Sequence, residues 1–244
     1  MAQLTPQDFA DIYVGFDAPV SRFDCGRKCA PLNGGQPVCC TTGDAVPVVD
    51  KAEFRLLRTR TDLWRRFKPY DSATRKIVNE LATSCCAIEC KGARFCERDN
   101  RTIACRSFPF FPYIDRDRQF IGLSVYWTFE DRCWMMSQME LVDRAFIDQF
   151  AAAFRRIFAK DKAEFDTFVE FSASMRRVFT RKKRKLPLLS LRGELMIIDP
   201  GKPVPRRGRP NEFPKWGPFV SESAYRRAVK EAEGTVPSEG LAPV

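Results

Sequence analysis

The sequence predicts an α+β fold that is mostly helical, in which irregular cysteine-rich loops pack on helices. Three observations support this prediction. Nine of the ten cysteines lie between Cys25 and Cys105. From residue 137 onwards, apolar residues recur at the spacing of helices. Hydrophobic residues make up 44% of the 244 positions, which is enough for one sizeable core.

The first cysteine-rich loop is predicted at residues 21–49, where turn-forming Gly, Pro and Asn residues stand between four cysteines. Such a loop needs more than a core to order it, and a bound metal supplies folding free energy. After the loop, Asp50 is placed to cap a helix over residues 51–67, whose apolar residues recur at broadly helical spacings. This helix ends before Pro69.

Two further elements are predicted in the middle of the chain. A short helix over residues 72–83 is expected to carry Ile77, Val78 and Leu81 toward the core. The β-branched and aromatic residues of 122–129 predict a buried strand. A second polar, cysteine-rich stretch lies between these two elements, and we expect it to form the second irregular loop.

The C-terminal half is predicted to begin with two helices. A stripe of phenylalanines over residues 137–180 indicates a core-facing helical surface with a break near Lys160 and Asp161. Two apolar runs around Gly193 predict a hairpin or edge strands over residues 186–198. A last short helix is predicted over residues 221–233.

These segments define one domain with an extension. We assign residues 21–135 to a cysteine-cluster metal-binding region, 136–180 to the helical support of the same domain, and 181–244 to a basic, partly disordered C-terminal extension.

The expected location of the protein decides how its cysteines are interpreted. The N-terminus lacks the basic start and apolar run of a signal peptide, and no stretch approaches the ~20 apolar residues of a membrane span. We therefore expect a cytoplasmic protein without a membrane partner. A reducing compartment disfavours structural disulfides and favours metal ligation or redox chemistry.

The chain contains no histidine. This absence excludes Ser-His-Asp and Cys-His nucleophile systems, His-ligated catalytic zinc and the iron sites that need two histidines. A soft-metal site in this chain must be rich in thiolates, which indicates zinc or an iron–sulfur cluster, with 4Fe-4S as one type. We expect this site to organise the loops, with ligands among Cys25, Cys29, Cys39, Cys40, Cys86, Cys90, Cys96 and Cys105.

The first pair of candidate ligands is Cys25 and Cys29. The three residues between them allow the chain to bend so that both sulfurs converge on one ion. Two of the three, Arg27 and Lys28, are expected to lower the pKa of the thiols.

The other candidate ligands are harder to assign. Cys39 and Cys40 are adjacent, so in regular backbone their side chains diverge; either the turn is special or the two sulfurs serve different partners. The remaining group has wider spacings, which suit a loop that wraps a site. Which of Cys85, Cys86 and Cys90 ligates is left open. So many thiolates exceed one tetrahedral zinc ion, and they fit a cluster, two ions, or one site with spare cysteines.

A resemblance adds to this interpretation. The pattern Cys25-x3-Cys29, then Cys39-Cys40, then Cys105-Arg-Ser-Phe-Pro109 resembles the YkgJ-type cysteine-cluster family, a zinc- or iron-chelating domain with a CxxCxxCC signature. The resemblance covers residues 21–135, and its ending is the most specific part. It implies Cys133 as a further ligand. Because some relatives are flagellin lysine methylases with an iron–sulfur cluster, it also implies an iron–sulfur-dependent, methylase-like enzyme as an alternative function.

The net charge of +10 belongs to one segment. Residues 176–209 hold twelve basic and two acidic residues, and the rest of the chain is formally neutral. This segment could bind the phosphates of a nucleic acid, although a solvated basic tail is the favoured interpretation. The residues alone indicate neither a radical S-adenosylmethionine enzyme nor a doubly wound methyltransferase. Enzymatic activity is not predicted from them, and a protein partner is left open.

Overall fold

The computed structural model describes residues 3–41, 43 and 45–235. The helices are α1 (Pro6–Val14), α2 (Gly26–Cys29), α3 (Lys51–Arg60), α4 (Ser72–Asn79), α5 (Ile103–Ser107), α6 (Arg144–Lys160), α7 (Lys162–Arg181) and α8 (Glu222–Thr235). The strands are β1 (Val48–Asp50), β2 (Trp64–Arg66), β3 (Cys85–Cys90), β4 (Phe110–Ile114), β5 (Phe120–Val125), β6 (Leu186–Ser190), β7 (Leu195–Ile198) and β8 (Arg206–Arg207). The fold class is α+β, as predicted.

The strands form two antiparallel sheets. The smaller sheet has the order β1-β3-β2, and the larger has the order β4-β5-β6-β7-β8. Strands β5 and β6 pair with Gly122 opposite Ser190. A side chain at Gly122 would overlap the carbonyl oxygen of Leu189, so only glycine allows this close approach of the two strands.

Aromatic side chains join the larger sheet to the helices. Phe111 of β4 meets Phe171 of α7 edge-on, with ring centroids 4.7 Å apart. Phe16, after α1, packs against Phe146 of α6 with centroids 5.6 Å apart. These contacts confirm that the phenylalanine stripe is a core face.

The predicted break between the long helices is also confirmed. Helix α6 ends at Lys160, and the side chain of Asp161 accepts a hydrogen bond from the backbone N–H of Glu164 to cap α7. The short helix α4 is present as predicted, but the prediction that it faces the core is wrong. Ile77 is 59% exposed and α4 buries no residue. A capping box at Asp71 stabilises this helix locally, so it forms without facing the core.

The helix predicted over residues 51–67 is shorter than expected. It begins after the cap at Asp50, as predicted, but ends at Arg60. Trp64 starts strand β2 instead, because it pairs with Cys90 at the end of β3. Pairing with a distant strand outweighs the helical spacing of the apolar residues.

The segment 181–244 differs from the partly disordered extension that we expected. Strands β6 and β7 form the predicted hairpin, and with β8 they complete the larger sheet. The buried leucines of β6 explain this, because they pair with β5 and fill the core. Helix α8 confirms the last predicted helix, and residues 236–244 lie outside the described part of the chain. Within the described residues, no helix has both the length and the apolar character needed to cross a membrane.

Candidate metal centre

Cys25 and Cys29 lie at the two ends of the one-turn helix α2. The carboxylate of Asp24 accepts a hydrogen bond of 3.1 Å from the backbone N–H of Gly26 and so fixes the start of the turn. Gly26 itself packs tightly, since a Cβ there would lie 3.1 Å from Cγ of Pro37. This turn holds both thiols on the inner side of the loop.

The expected effect of the two basic residues in this turn is not found. Burial raises the pKa of the Cys25 thiol to about 11, and it also raises the pKa of Cys29. Arg27 points outward, with its side chain 87% exposed and 3.7 Å from Asp24. The ammonium of Lys28 lies 5.1 Å from the ring centroid of Tyr225 in α8. Neither cation faces the sulfurs, so burial dominates.

Cys39 and Cys40 lie in a 3-10 turn at Val38–Cys40, with their sulfurs 3.9 Å apart. The backbone is therefore not regular here, which corresponds to the first of the two alternatives given above, and the turn brings the two sulfurs close together. The hydrogen bond between the two thiols raises the pKa of Cys39 and lowers that of Cys40. The positive charge of Arg101 lowers the pKa of Cys40 further. Cys40 is consequently the first of the pair to become a thiolate.

Three more cysteines come from the second loop. The sulfur of Cys90, at the end of β3, accepts a hydrogen bond of 3.4 Å from the N–H of Gly92. The sulfur of Cys96 accepts one of 3.0 Å from Nε of Arg101. Cys105 lies in α5, where burial raises its thiol pKa to about 12.

Eight thiols form one electrostatic network, because each of them either influences the pKa of another or has its own pKa influenced by another. Within it we distinguish two sets, which are joined by the contact between Cys39 and Cys40 and by the effect of Cys40 on Cys29. In what we call the first thiol group, the pKa of Cys133 is raised by burial and then by Cys25 and Cys29, and that of Cys39 partly by Cys133 and Cys25. In the second thiol group, Cys105 is influenced by Cys40 and Cys90, and Cys90 by Cys40 and Cys96. The first thiol group is Cys25, Cys29, Cys39 and Cys133, and the second is Cys40, Cys90, Cys96 and Cys105.

Cys86 and Cys85 lie outside this network. Cys86 is 2% exposed and opposes Val49 in the smaller sheet. Burial raises the pKa of its thiol. The charges with the largest effect on this pKa are those of Arg66 and Lys51, not those of other thiols. Burial raises the pKa of Cys85 to about 11, with the carboxyl of Glu164 adding to the effect. The fold thus brings Cys90, and not Cys86, to the other candidate ligands.

Two arginines of the second loop have different roles. Burial alone would lower the pKa of Arg101, but its bond to Cys96 and the nearby thiol charges raise it. Arg106 instead binds backbone: it donates to the carbonyl oxygens of Phe16, Arg101 and Asp99, the last at 2.7 Å. Arg101 therefore offsets thiolate charge, whereas Arg106 ties the second loop to the end of α1.

A buried carboxyl beside this loop was missed in the sequence. Glu53 of α3 accepts hydrogen bonds of 2.6 Å from the hydroxyl of Tyr13 and from the N–H of Ile103. Burial raises its pKa to about 7. Its spacing of four residues from Leu57 was a usable signal, because it places an acid on the apolar face of the predicted helix.

The thiols of the network fit a metal in their chemistry but not in their present arrangement. The donor set suits zinc or an iron–sulfur cluster, because both prefer thiolates. Among the described residues, however, no three Cys, Asp or Glu side chains are already arranged to hold a metal ion. The thiols are gathered but not in ligating positions, so ligation requires the loops to contract around a metal.

Three arginines of the basic segment at residues 176–209 have structural partners within the fold. Arg176 donates a hydrogen bond of 2.7 Å to the carbonyl oxygen of Ile114. Arg184 forms a two-point ion pair with Glu130. Arg206 binds both Asp199 and Glu212. These arginines are tied to the sheet and its neighbours, in contrast to the solvated tail that we favoured.

Comparisons with known proteins do not add to this geometry. No protein-family model matches the chain, and neither a curated protein nor a solved structure matches it. The resemblance to the YkgJ-type family therefore stays a prediction.

Proposed function

We propose that this protein binds a metal centre, an iron–sulfur cluster or zinc, through cysteine thiolates. The convergence of eight thiols from four separated parts of the chain supports the proposal. These parts are the turn at Cys25, the turn at Cys39, the loop from Cys90 to Cys105, and Cys133. Cysteines that served only as small apolar residues would have no reason to collect in this way.

The electrostatics of the network favour a bound cation. All ten cysteines are free thiols. Burial and mutual repulsion raise the pKa of most thiols in the network, so several thiolates cannot coexist there on their own. A metal removes this obstacle, because it deprotonates the thiols that coordinate it. The reducing conditions that keep such thiols free also lead us to propose the cytoplasm as the location.

The number of thiols in the network limits the stoichiometry. Tetrahedral zinc and a 4Fe-4S cluster each take four cysteines, so eight thiols are enough for at most two such centres. The second thiol group is the better candidate for a first centre, because Arg101 offsets its negative charge. The alternatives inferred from the sequence, a methylase-like enzyme and a nucleic-acid-binding protein, gain no specific support from the contacts of the described residues.

The test is the metal and sulfide content of the protein purified without oxygen, together with its visible spectrum. A brown protein with acid-labile sulfide would carry an iron–sulfur cluster, and a colourless protein with stoichiometric zinc would carry zinc. A protein with neither would overturn the proposal. Cys105→Ala is expected to lower the metal content, whereas Cys85→Ala, outside the network, serves as the matched control.

A further inference from the structure

A cavity of about 490 Å³ lies beside the thiol network, bounded by α7, β1 and α5. Aromatic rings form much of its wall. The rings of Phe108 and Phe129 lie 5.2 Å apart, and those of Tyr126 and Phe171 lie 5.4 Å apart. This size and apolar lining suit a small organic molecule.

The charged groups in the wall are all acidic. Four carboxyl groups line the cavity, and within the described part of the chain no lysine or arginine does, although the protein carries a net charge of +10. Three of these carboxyls already have partners. Glu53 binds Tyr13 and Ile103, Asp50 caps α3, and Asp161 caps α7.

Glu164 is the exception. Among the described residues, its carboxyl group has no hydrogen-bonding or ion-pairing partner, and the hydroxyl of Tyr126 beside the same cavity has none either. Burial, followed by the negative charges of Asp161 and Asp50, raises the pKa of Glu164 to about 7. Among the described residues no fully buried side-chain oxygen lacks a partner, so water still reaches the carboxyl group of Glu164. A ligand that displaces this water must supply a hydrogen-bond donor or the opposite charge.

We propose that this cavity binds a small organic cation, a primary amine carried on an aromatic body. The ring of the ligand packs against the aromatic wall, and its ammonium group binds the carboxylate of Glu164. A neutral or anionic ligand would leave the negative charge of Glu164 without a partner. The cavity wall also includes Cys39 and Cys105, which belong to the two thiol groups, so amine binding is to be measured on protein of known metal content.

The test is calorimetric titration of the full-length protein with 4-phenylbutylamine and with the neutral 4-phenylbutanol. We expect the amine to bind and the alcohol to bind at least about tenfold more weakly, because a charge-assisted hydrogen bond is lost. The variant Glu164→Gln should lose a similar factor for the amine. Glu170→Gln is the matched control, since Glu170 lies on α7 but is exposed to solvent.

Three outcomes would overturn the inference: no binding of the amine, equal binding of amine and alcohol, or unchanged amine affinity in Glu164→Gln. Circular dichroism of the variant, compared with that of Glu170→Gln, separates loss of the ligand site from loss of the fold. A fourth outcome, in which both variants weaken amine binding equally, would also contradict it, because Glu164 lines the cavity and Glu170 does not.

Discussion

Nε of Arg101 lies 3.0 Å from the sulfur of Cys96 and donates a hydrogen bond to it. The same guanidinium also acts on Cys40 and Cys105. One cation thus serves three of the four thiols in the second thiol group. A positive charge in this position favours the thiolate forms, which are the forms that bind metals.

The first prediction concerns this cation. Arg101→Gln should slow alkylation of the metal-free protein by iodoacetamide near neutral pH by about tenfold or less, because the thiol pKa values rise without the guanidinium. Mass spectrometry of the labelled cysteines would measure the change. Arg94→Gln is the control, since Arg94 is exposed and contacts the ring of Phe95. Equal rates in wild type and Arg101→Gln would contradict the assigned role.

The second prediction separates two cysteines of β3. Cys90→Ala should lower the metal content of the purified protein, because Cys90 belongs to the second thiol group. Cys86→Ala should keep its metal but lose about 1 kcal/mol of unfolding free energy, as expected for truncation of a small core residue. Metal analysis and urea unfolding measure the two effects. Loss of metal in Cys86→Ala would show that the assignment of Cys90 is wrong.

The third prediction concerns pH. The pKa of Glu53 is raised from 4.5 to about 7 in the folded protein, mainly by burial. The folded state therefore holds this proton more tightly. The bound proton therefore contributes fully to the free energy of unfolding at pH values below the unfolded pKa. This contribution, on the order of 3 kcal/mol, is lost as the pH rises through the folded pKa. Wild-type stability should fall between about pH 5 and about pH 8.

Glu53→Gln tests this prediction. Glutamine keeps the oxygen that accepts hydrogen bonds from Tyr13 and Ile103, but it has no carboxyl proton to lose. Urea unfolding of this variant should show little change at the acidic end and higher stability than wild type at the alkaline end. Glu80→Gln, an exposed acid after α4, should follow the wild-type curve. A variant that declines in parallel with wild type would contradict the assignment.

The fourth prediction concerns the contact between α8 and the first cysteine loop. Tyr225 lies under the ammonium of Lys28 and stacks on Phe219 with centroids 6.1 Å apart. Tyr225→Ala should remove roughly 1 kcal/mol of docking energy and speed amide exchange in residues 25–32 several-fold. Hydrogen exchange with mass spectrometry would detect this. Arg227→Ala, an exposed position on the same helix, should leave exchange unchanged.

Local signals account for the parts of the fold that the sequence predicted well. Asp50 and Asp161 cap helices where a cap was expected, and Gly193 separates the strands of the predicted hairpin. Each of these features depends on neighbours within a few residues. The predictions failed where a residue's structure depends on a distant part of the chain. Trp64 joins a strand because β3 is present to pair with it. Ile77 stays exposed because none of the described elements covers it.

The same distinction applies to the candidate site. The absence of histidine led us to predict a thiolate-rich donor set, which stays a prediction. The choice between Cys86 and Cys90 was not accessible, because it depends on where β3 ends relative to loops far along the chain. The unpaired state of Glu164 was equally hidden, since it arises only when α7 and β1 bring several carboxyls to one cavity.

Helix α8, the last helix among the described residues, packs on the turn at Ala30–Leu32, directly after the first cysteine pair. During synthesis all ten cysteines leave the ribosome before this helix exists. All the thiols of the growing chain are therefore present before α8 can pack beside the first cysteine pair. The order of residues along the chain thus sets an order of synthesis, with the cysteines first and this neighbouring helix later.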